Sequence, residues 1–192
     1  MSDEETTRAG HLLYEVGTLK NQRRTGWWMA GVRDPESVAE HSWRTALIAS
    51  VIASMEGADP AKAALIAVWH DSGETRSGDV NHLGQKYVGS KPDARDIAAD
   101  QTDGMSAKVG EMVRSAVASY EEQDTAEALC AKDADKLECM LQGIEYRAQG
   151  HASAQRWIDG SRGRIKTKSG QELADATLEQ GALDWLYAAM ER

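Results

Sequence analysis

Apolar residues recur every three or four positions along most of this 192-residue chain, in segments that begin at capping residues and end at glycine. In the clearest segment, Ser37 and Glu40 have the spacing of a capping box, and the apolar pattern continues to Gly57. The next segment begins where Asp59 precedes Pro60. Phenylalanine is absent, and the runs of aromatic and β-branched residues that strands favour are missing. This pattern predicts an all-α fold.

The spacing predicts seven helices and a core-facing side for the first three. The predicted helices cover about 8–23, 37–57, 93–102, 106–121, 124–149 and 174–190, and a further helix, third in the chain, begins at Pro60 and ends within 68–79. The predicted core residues are Leu12, Leu13, Val16 and Leu19 on the first helix, Leu47, Val51 and Met55 on the second, and Ala64, Leu65, Val68 and Trp69 on the third. Residues 159–170 are expected to form a basic, glycine-rich turn before the last helix.

The length and charge of the chain limit its organisation and its partners. A chain of 192 residues predicts one domain over 1–192. A net charge of −9 disfavours nucleic-acid polymers and anionic membranes, because the long-range field repels phosphates. The acidic N-terminus is unlike a signal peptide, and Cys130 and Cys139 lie too far apart on one predicted helix for a mutual disulfide. We therefore predict a soluble, cytoplasmic protein.

The stretch VWHDSGETRSGD, at the end of the third predicted helix, contains groups that bind metals and transfer protons. His70 and Asp71 are adjacent, so on a helix their side chains point about 100° apart and converge on one ion only with further ligands. His41 and either Asp133 or Asp135 are the candidates for those ligands. Imidazole and carboxylate together suit Mn, Fe, Co, Ni or Zn. Spacing alone leaves a second interpretation open, in which the histidines are hydrogen-bonded core residues.

Four segments, in order, resemble the HD superfamily of metal-dependent phosphohydrolases, and more narrowly its 5'-deoxynucleotidase branch. They are LKNQRRTGWW, PESVAEHSWRTALIA, WHDSGETRSGD and AKDADKLECMLQGIEY. The resemblance covers residues 12–146 and implies a helical HD-domain bundle with the metal site between helices. It implies metal ligation by His41, His70, Asp71 and Asp135. The family's spacing of lysine, two residues and aspartate selects Asp135 and leaves Asp133 as a surface or salt-bridged acid.

The resemblance also implies residues that act on the substrate. Glu74 lies one helical turn beyond the His-Asp pair, and in the family this acid and the one matching Asp79 lie beside the attacking water and the phosphate. Both are candidates for general acid/base catalysis, although a solvated helix end and a turn residue are the alternatives. Arg24 and Trp27 match the family's arginine and tryptophan near the nucleotide. Lys86 is a further candidate for a phosphate contact.

The function implied is hydrolysis of (deoxy)nucleoside 5'-monophosphates by a metal-dependent 5'-nucleotidase. One alternative keeps the site but acts on deoxynucleoside triphosphates or other phosphoesters. A non-enzymatic alternative is a helical binding protein with a vestigial metal site. The expected partners are a small nucleotide, a divalent transition metal (Mn, Co, Fe, Ni or Zn) and a second copy of the chain. The helix at 174–190 is expected to pack on the core or at the dimer interface.

Overall fold

A computed structural model describes residues 1–89 and 92–191. Within these ranges the backbone forms ten α-helices, four short 3-10 helices and an isolated antiparallel bridge between Arg23 and Ser37. The all-α prediction is confirmed. Across the described ranges, no helix combines the length and the hydropathy that crossing a membrane requires.

The helices follow the chain in this order. They are α1 (Asp3–Gly17), α2 (Val38–Glu56), α3 (Pro60–Trp69), α4 (Glu74–Ser77), α5 (Ala94–Gln101), α6 (Ala107–Glu122), α7 (Ala126–Ala148), α8 (Gln155–Arg162), α9 (Lys168–Leu178) and α10 (Asp184–Met190). The 3-10 helices are Thr18–Lys20, Thr25–Ala30, Gly84–Lys86 and Ala152–Ala154.

Local capping interactions set the ends of α2 and the start of α3. The Ser37 hydroxyl accepts a hydrogen bond from the Glu40 amide at 3.1 Å, and the Glu40 carboxylate accepts one from the Ser37 amide at 2.6 Å. Gly57 ends α2 with a φ of 75°, in the left-handed region where glycine carries no Cβ penalty. Asp59 then caps α3, and Pro60 is its first residue. The predicted capping box and proline start are therefore confirmed.

Helix α7 lies at the centre and packs against α2, α3, α6, α8 and α9. Many of the buried residues between these helices are alanines, with a few larger side chains such as Ile52, Ile66 and Met140. Small side chains allow helix axes to approach closely. Close approach of α2, α3 and α7 places polar groups from all three helices within contact distance of one another.

The predicted core faces of α2 and α3 are wrong. The buried residues are instead Ala49, Ile52 and Ala53 on α2 and Ala63, Ile66 and Ala67 on α3. The large apolar residues that are exposed instead are Leu47, Val51, Met55, Leu65 and Val68, and Leu13 on α1 is exposed as well. Each of these helices has apolar residues on two adjoining faces, and the face lined by alanine is the one that packs.

Both ends of the chain also differ from the prediction. Helix α1 begins at Asp3 because Ser2 and Glu5 form a capping box. Helix α8 occupies part of the segment predicted as a turn, and the predicted helix at 174–190 is two helices, α9 and α10. Helix α9 starts early because the Thr167 hydroxyl accepts a hydrogen bond from the Gly170 amide at 3.1 Å.

Glu15 ties α1 to α4 and α5. Its Oε1 accepts hydrogen bonds from Thr75 Oγ1 at 2.9 Å, Arg76 Nε at 2.8 Å and Gln101 Nε2 at 2.8 Å. The hydrogen bonds from Arg76 outweigh the effect of burial and lower the pKa of Glu15 from 4.5 to about 2. These contacts hold in place the short helix that begins with Glu74.

Replacing Gly143 by alanine should destabilise the fold. A Cβ at Gly143 would lie 2.9 Å from Cγ1 of Ile158 and 3.5 Å from Cη2 of Trp27. We expect Gly143→Ala to lower the free energy of unfolding by about 1–3 kcal/mol, measured by urea denaturation. Gly160→Ala on α8 is the matched control, because its Cβ would meet nothing within 4 Å. Equal effects of the two substitutions would contradict the close approach of α7 and α8.

Loss of the Glu15 charge should change the acid stability of the protein. The folded-state pKa of Glu15 is lower than its ordinary value of 4.5, so its contribution to stability is complete above that pH and disappears as the pH falls toward 2. Glu15→Gln should lower the free energy of unfolding at neutral pH by up to about 1 kcal/mol, and the deficit should be absent below about pH 2. Urea unfolding at both pH values measures this, with Glu4→Gln on an exposed position as the control. A deficit of the same size at both pH values would argue against an ionic role.

Candidate metal centre

Three helices bring four of the sequence-predicted residues together. His41 lies in the first turn of α2, His70 caps the C-terminus of α3 with Asp71 directly after it, and Asp135 lies in the middle of α7. His41, His70 and Asp135 are buried, and Asp71 is half-buried. The approach of these elements creates a compact cluster of two imidazoles and two carboxylates beneath the surface.

The distances among His41, His70 and Asp71 suit one small cation, and Asp135 lies close to one of the three, His41. Ligand atoms of His41, His70 and Asp71 all lie within 4.8 Å of one another. His70 Nε2 lies 3.0 Å from Asp71 Oδ2, and His41 Nε2 lies 3.8 Å from the same oxygen. Asp135 Oδ1 lies 3.4 Å from His41 Nε2. A divalent ion bound by nitrogen and oxygen at about 2.0–2.2 Å has its ligand atoms at separations of this order.

The two imidazoles direct the same ring nitrogen into the cluster. His70 Nδ1 donates a hydrogen bond to the Ala67 carbonyl at 2.6 Å, and His41 Nδ1 contacts the Glu138 carboxylate. His41 Nε2 and His70 Nε2 are both buried and make no hydrogen bond with the residues described. Buried polar atoms without hydrogen bonds are costly. A metal ion that accepts both lone pairs would remove this cost, so the residues present fit a metal.

The charges around the cluster favour a cation. Burial and the charge of Arg24 lower the pKa of His41, but the Glu138 and Asp135 carboxylates outweigh them and raise this pKa to about 10. Burial raises the pKa of Asp71, but His70 and Arg24 outweigh this effect and hold the pKa well below its ordinary value. The His41 shift reflects the negative potential of these carboxylates, which stabilises a proton on imidazole and equally a divalent ion. The Asp71 shift reflects neighbouring positive charge, which keeps this carboxylate ionised and able to bind a cation.

Asp133 and Asp135 have different surroundings. Asp135 Oδ2 accepts hydrogen bonds from Tyr120 Oη at 2.7 Å and from Lys136 Nζ at 2.7 Å, beside the cluster. The Asp133 carboxylate instead accepts hydrogen bonds from the Lys166 amide at 3.0 Å and the next amide at 2.6 Å. Asp133 is thus a buried anchor for the loop before α9, and not the surface or salt-bridged acid that the sequence suggested.

The two predicted catalytic acids, Glu74 and Asp79, take part in different hydrogen bonds. Glu74 is buried as the first residue of α4, and its amide donates a hydrogen bond to the Asp71 carbonyl at 3.0 Å. Asp79 follows the loop at Gly78, and its carboxylate accepts a hydrogen bond from the Thr25 amide. The Thr25 hydroxyl also donates to the Asp79 carbonyl at 3.0 Å. Asp79 therefore ties the loop after α4 to the segment that contains Arg24.

Arg24 contacts a candidate ligand, whereas Lys86 makes no described contact with the cluster. Arg24 Nη1 donates a hydrogen bond to Asp71 Oδ2 at 3.2 Å, which places a guanidinium next to the candidate ligands. Lys86 is exposed at the end of the 3-10 helix Gly84–Lys86. Of the two predicted phosphate contacts, Arg24 alone makes a described contact with a candidate ligand.

Trp27 is a packed core residue. It is 2 % exposed, its ring lies 5.1 Å from that of Tyr146, and its indole N–H donates a hydrogen bond to Glu36 Oε1 at 2.9 Å. The next residue, Trp28, is 52 % exposed. The accessible indole in this segment is therefore that of Trp28.

Sequence reasoning missed several residues that contact the candidate ligands, as Glu138 and Tyr120 do, or that contact such a residue, as Arg44 does. Arg44 follows His41 by three residues, and Glu138 follows Asp135 by three, so helical spacing offered a signal for both. Tyr120 comes from α6, its ring lies 4.8 Å from the His70 ring, and its hydroxyl bonds Asp135. Nothing in the local sequence distinguishes Tyr120 from an ordinary core tyrosine.

Comparisons with known proteins agree with this fold. The family described as HD domain matches residues 16–177 of this chain. The 5'-deoxynucleotidase HDDC2 of Dictyostelium discoideum is 33 % identical over 166 residues, covering 78 % of this chain and 85 % of the relative. The human 5'-deoxynucleotidase HDDC2 is 31 % identical over 137 residues, covering 71 % and 67 %. The structure of a conserved hypothetical protein from Pyrococcus furiosus has a TM-score of 0.71 at 28 % identity, covering 88 % of this chain and 99 % of that one.

Proposed function

Because this chain belongs to the HD domain family, we propose that it is a metal-dependent phosphohydrolase that converts (deoxy)nucleoside 5'-monophosphates to nucleoside and phosphate. The observation that carries this proposal is the pair of buried Nε2 atoms of His41 and His70, which face carboxylates with Arg24 alongside. Relatives that match most of the chain are named 5'-deoxynucleotidases. The combination supports a phosphomonoester substrate.

The proposed metal ligands are His41, His70, Asp71 and Asp135. Two imidazoles and two carboxylates suit Mn, Co, Fe, Ni or Zn, and four protein ligands leave coordination positions for water and a phosphate oxygen. When bound, such an ion supplies Lewis-acid activation of the phosphate and of the attacking water.

Residues of the chain supply the remaining chemistry. The Arg24 guanidinium, next to Asp71, would neutralise charge that develops on the phosphate. Glu74, buried one turn after the His-Asp pair, would accept the proton of the attacking water or donate one to the leaving oxygen. Asp79 would share this role through its position beside the segment of Arg24. Substrate contacts by Trp27 and Lys86 stay predictions.

Two alternatives predict different behaviour. A triphosphohydrolase needs cationic groups for two further phosphates, and the cations that contact candidate ligands among the described residues are Arg24 and Lys136. This small number favours a monophosphate. A binding protein with a vestigial site would have no use for a buried carboxylate at Glu74, three residues after Asp71. We therefore place the monophosphatase first.

We also propose that the protein is a homodimer in the cytoplasm. The large side chains Trp43, Leu47, Val51 and Met55 repeat every four residues on α2 and are all exposed. Exposed apolar stripes of this kind are typical of protein contacts. Helix α10, which the sequence suggested for this role, also exposes Trp185 and has no buried residue. The stripe on α2 is the better candidate because it belongs to a helix of the central core.

A substrate panel tests the proposed activity. Protein loaded with Mn, Co or Zn should release phosphate from nucleoside 5'-monophosphates and little or none from the di- and triphosphates. Glu74→Gln, purified in the same way, should keep its metal, and its turnover should fall at least about 100-fold. Because a contaminating phosphatase would be present in both preparations, this loss would assign the activity to the protein itself. Hydrolysis of triphosphates alone would overturn the proposed substrate. Unchanged turnover of Glu74→Gln would remove Glu74 from the mechanism.

Replacement of the two neighbouring acids should separate metal binding from stability. Asp135→Ala should bind metal at least about 10-fold more weakly, because one of four proposed ligands is lost. Asp133→Ala should keep its metal but lower the free energy of unfolding by about 1–3 kcal/mol, because buried loop amides lose their acceptor. Elemental analysis and urea denaturation measure the two effects. Full metal occupancy in Asp135→Ala would refute that ligand assignment.

A further inference from the structure

Glu138 is a buried carboxylate that neither the proposed ligand set nor the proposed chemistry uses. It lies on α7, one turn after Asp135, and its residue is 0 % exposed. Its Oε2 contacts His41 Nδ1, the ring nitrogen that faces away from the cluster. Its Oε1 accepts a hydrogen bond from Arg44 Nε at 3.0 Å. Both carboxylate oxygens are thus engaged.

Arg44 connects Glu138 to two further residues of α7. Arg44 Nη1 donates a hydrogen bond to Glu145 Oε1 at 2.7 Å, and its Nη2 donates one to Gln142 Oε1 at 3.0 Å. These contacts fix the guanidinium on the surface of α7 and balance the charge of Glu138. A buried carboxylate is tolerated when it is paired and hydrogen-bonded in this way.

The contact between Glu138 and His41 decides which nitrogen of His41 is free to bind. A carboxylate without a proton only accepts hydrogen bonds, so His41 Nδ1 must carry the hydrogen. In the neutral ring that binds a metal, the lone pair then lies on Nε2, which points toward Asp71 and Asp135. His70 is oriented similarly, but its partner is the uncharged carbonyl of Ala67.

We propose that Glu138 is the positioning residue for His41: its Oε2 accepts the Nδ1 hydrogen and so directs the Nε2 lone pair toward the metal centre, while Arg44 holds Oε1. Partners of this kind fix the orientation of a ligating imidazole and raise its basicity. The inference rests on the metal centre of the proposed function. It adds a residue that touches neither metal nor substrate.

A second arrangement of the same residues is the competing outcome. Ligand atoms of Glu36, His41 and Glu138 also lie within 4.8 Å of one another. An ion bound there would use His41 Nδ1 and would displace both the Glu138 contact and the hydrogen bond from Trp27 to Glu36. The existing contacts of these groups favour the Nε2 side.

The zinc-loaded protein with its natural sequence provides a test that needs no substitution. In nitrogen-15 NMR spectra, His41 should carry its hydrogen on Nδ1, in a strongly downfield hydrogen bond, and bind the metal through Nε2. Metal on Nδ1, or a hydrogen on Nε2, would overturn the proposal. Metal on Nδ1 would place the ion on the side of Glu36.

Metal affinity of Glu138→Gln tests the same proposal independently. His41 and Arg44 use different oxygens of Glu138, and a carboxamide places an NH2 donor at one of these two positions, so one of the two acceptors is lost. We expect its dissociation constants for zinc and cobalt to rise about 10- to 100-fold. Glu145→Gln is the matched control, because Glu145 also accepts from Arg44 and makes no described contact with His41. Its constants should stay within about threefold of those of the unsubstituted protein.

The outcomes separate this inference from the proposed function. Equal metal affinity in Glu138→Gln and the unsubstituted protein, with phosphatase activity retained in both, would overturn the role of Glu138 alone. Equal losses in Glu138→Gln and Glu145→Gln would assign the effect to general damage around Arg44 and would also overturn it. Failure of the unsubstituted protein to bind any divalent ion would overturn the metal centre together with the inference.

Discussion

The packing of α7 against α2 and α3 buries a cluster of charged and polar side chains, and much of the described structure around it serves to satisfy them. His41 and Glu138 are both 0 % exposed, which would be costly for either group alone. His41 and Glu138 contact each other, and Glu138 also accepts a hydrogen bond from Arg44, so the buried carboxylate is paired. Tyr120 and Lys136 likewise donate hydrogen bonds to Asp135. The central core and the candidate centre therefore depend on the same contacts of α7 with α2 and α3.

Alanine on the packing faces makes this arrangement possible. Ala49 and Ala53 on α2 and Ala63 and Ala67 on α3 occupy little volume, so the helices approach closely enough for short side chains such as Asp71 to meet His41. The larger apolar residues are left on the outside of α2 and α3. A method that assigns the most hydrophobic face to the core selects the wrong side, because close packing depends on shape as well as on hydropathy.

Flanking elements then position the groups proposed for catalysis. Glu15 on α1 holds Arg76 and so fixes the helix that begins with Glu74. Asp79 holds Thr25, next to Arg24, whose guanidinium contacts Asp71. The residues proposed to act on the phosphate thus come from two segments, of which one is held by α1 and both are joined to each other through Asp79 and Thr25. Such anchoring keeps reactive groups in position at a site that must also admit substrate.

By itself, the sequence determined the helical class and the starts of α2 and α3, because capping and helical spacing are local properties. Its resemblance to the HD superfamily indicated the segments that contain the candidate metal ligands. Only the tertiary structure decided which faces pack, how Asp133 and Asp135 differ, and where Trp27 lies. His41 and Glu138 are 97 positions apart, so no local pattern links them. Their contact exists because α2 and α7 pack closely, and a long-range packing of this kind depends on the shapes of many side chains at once.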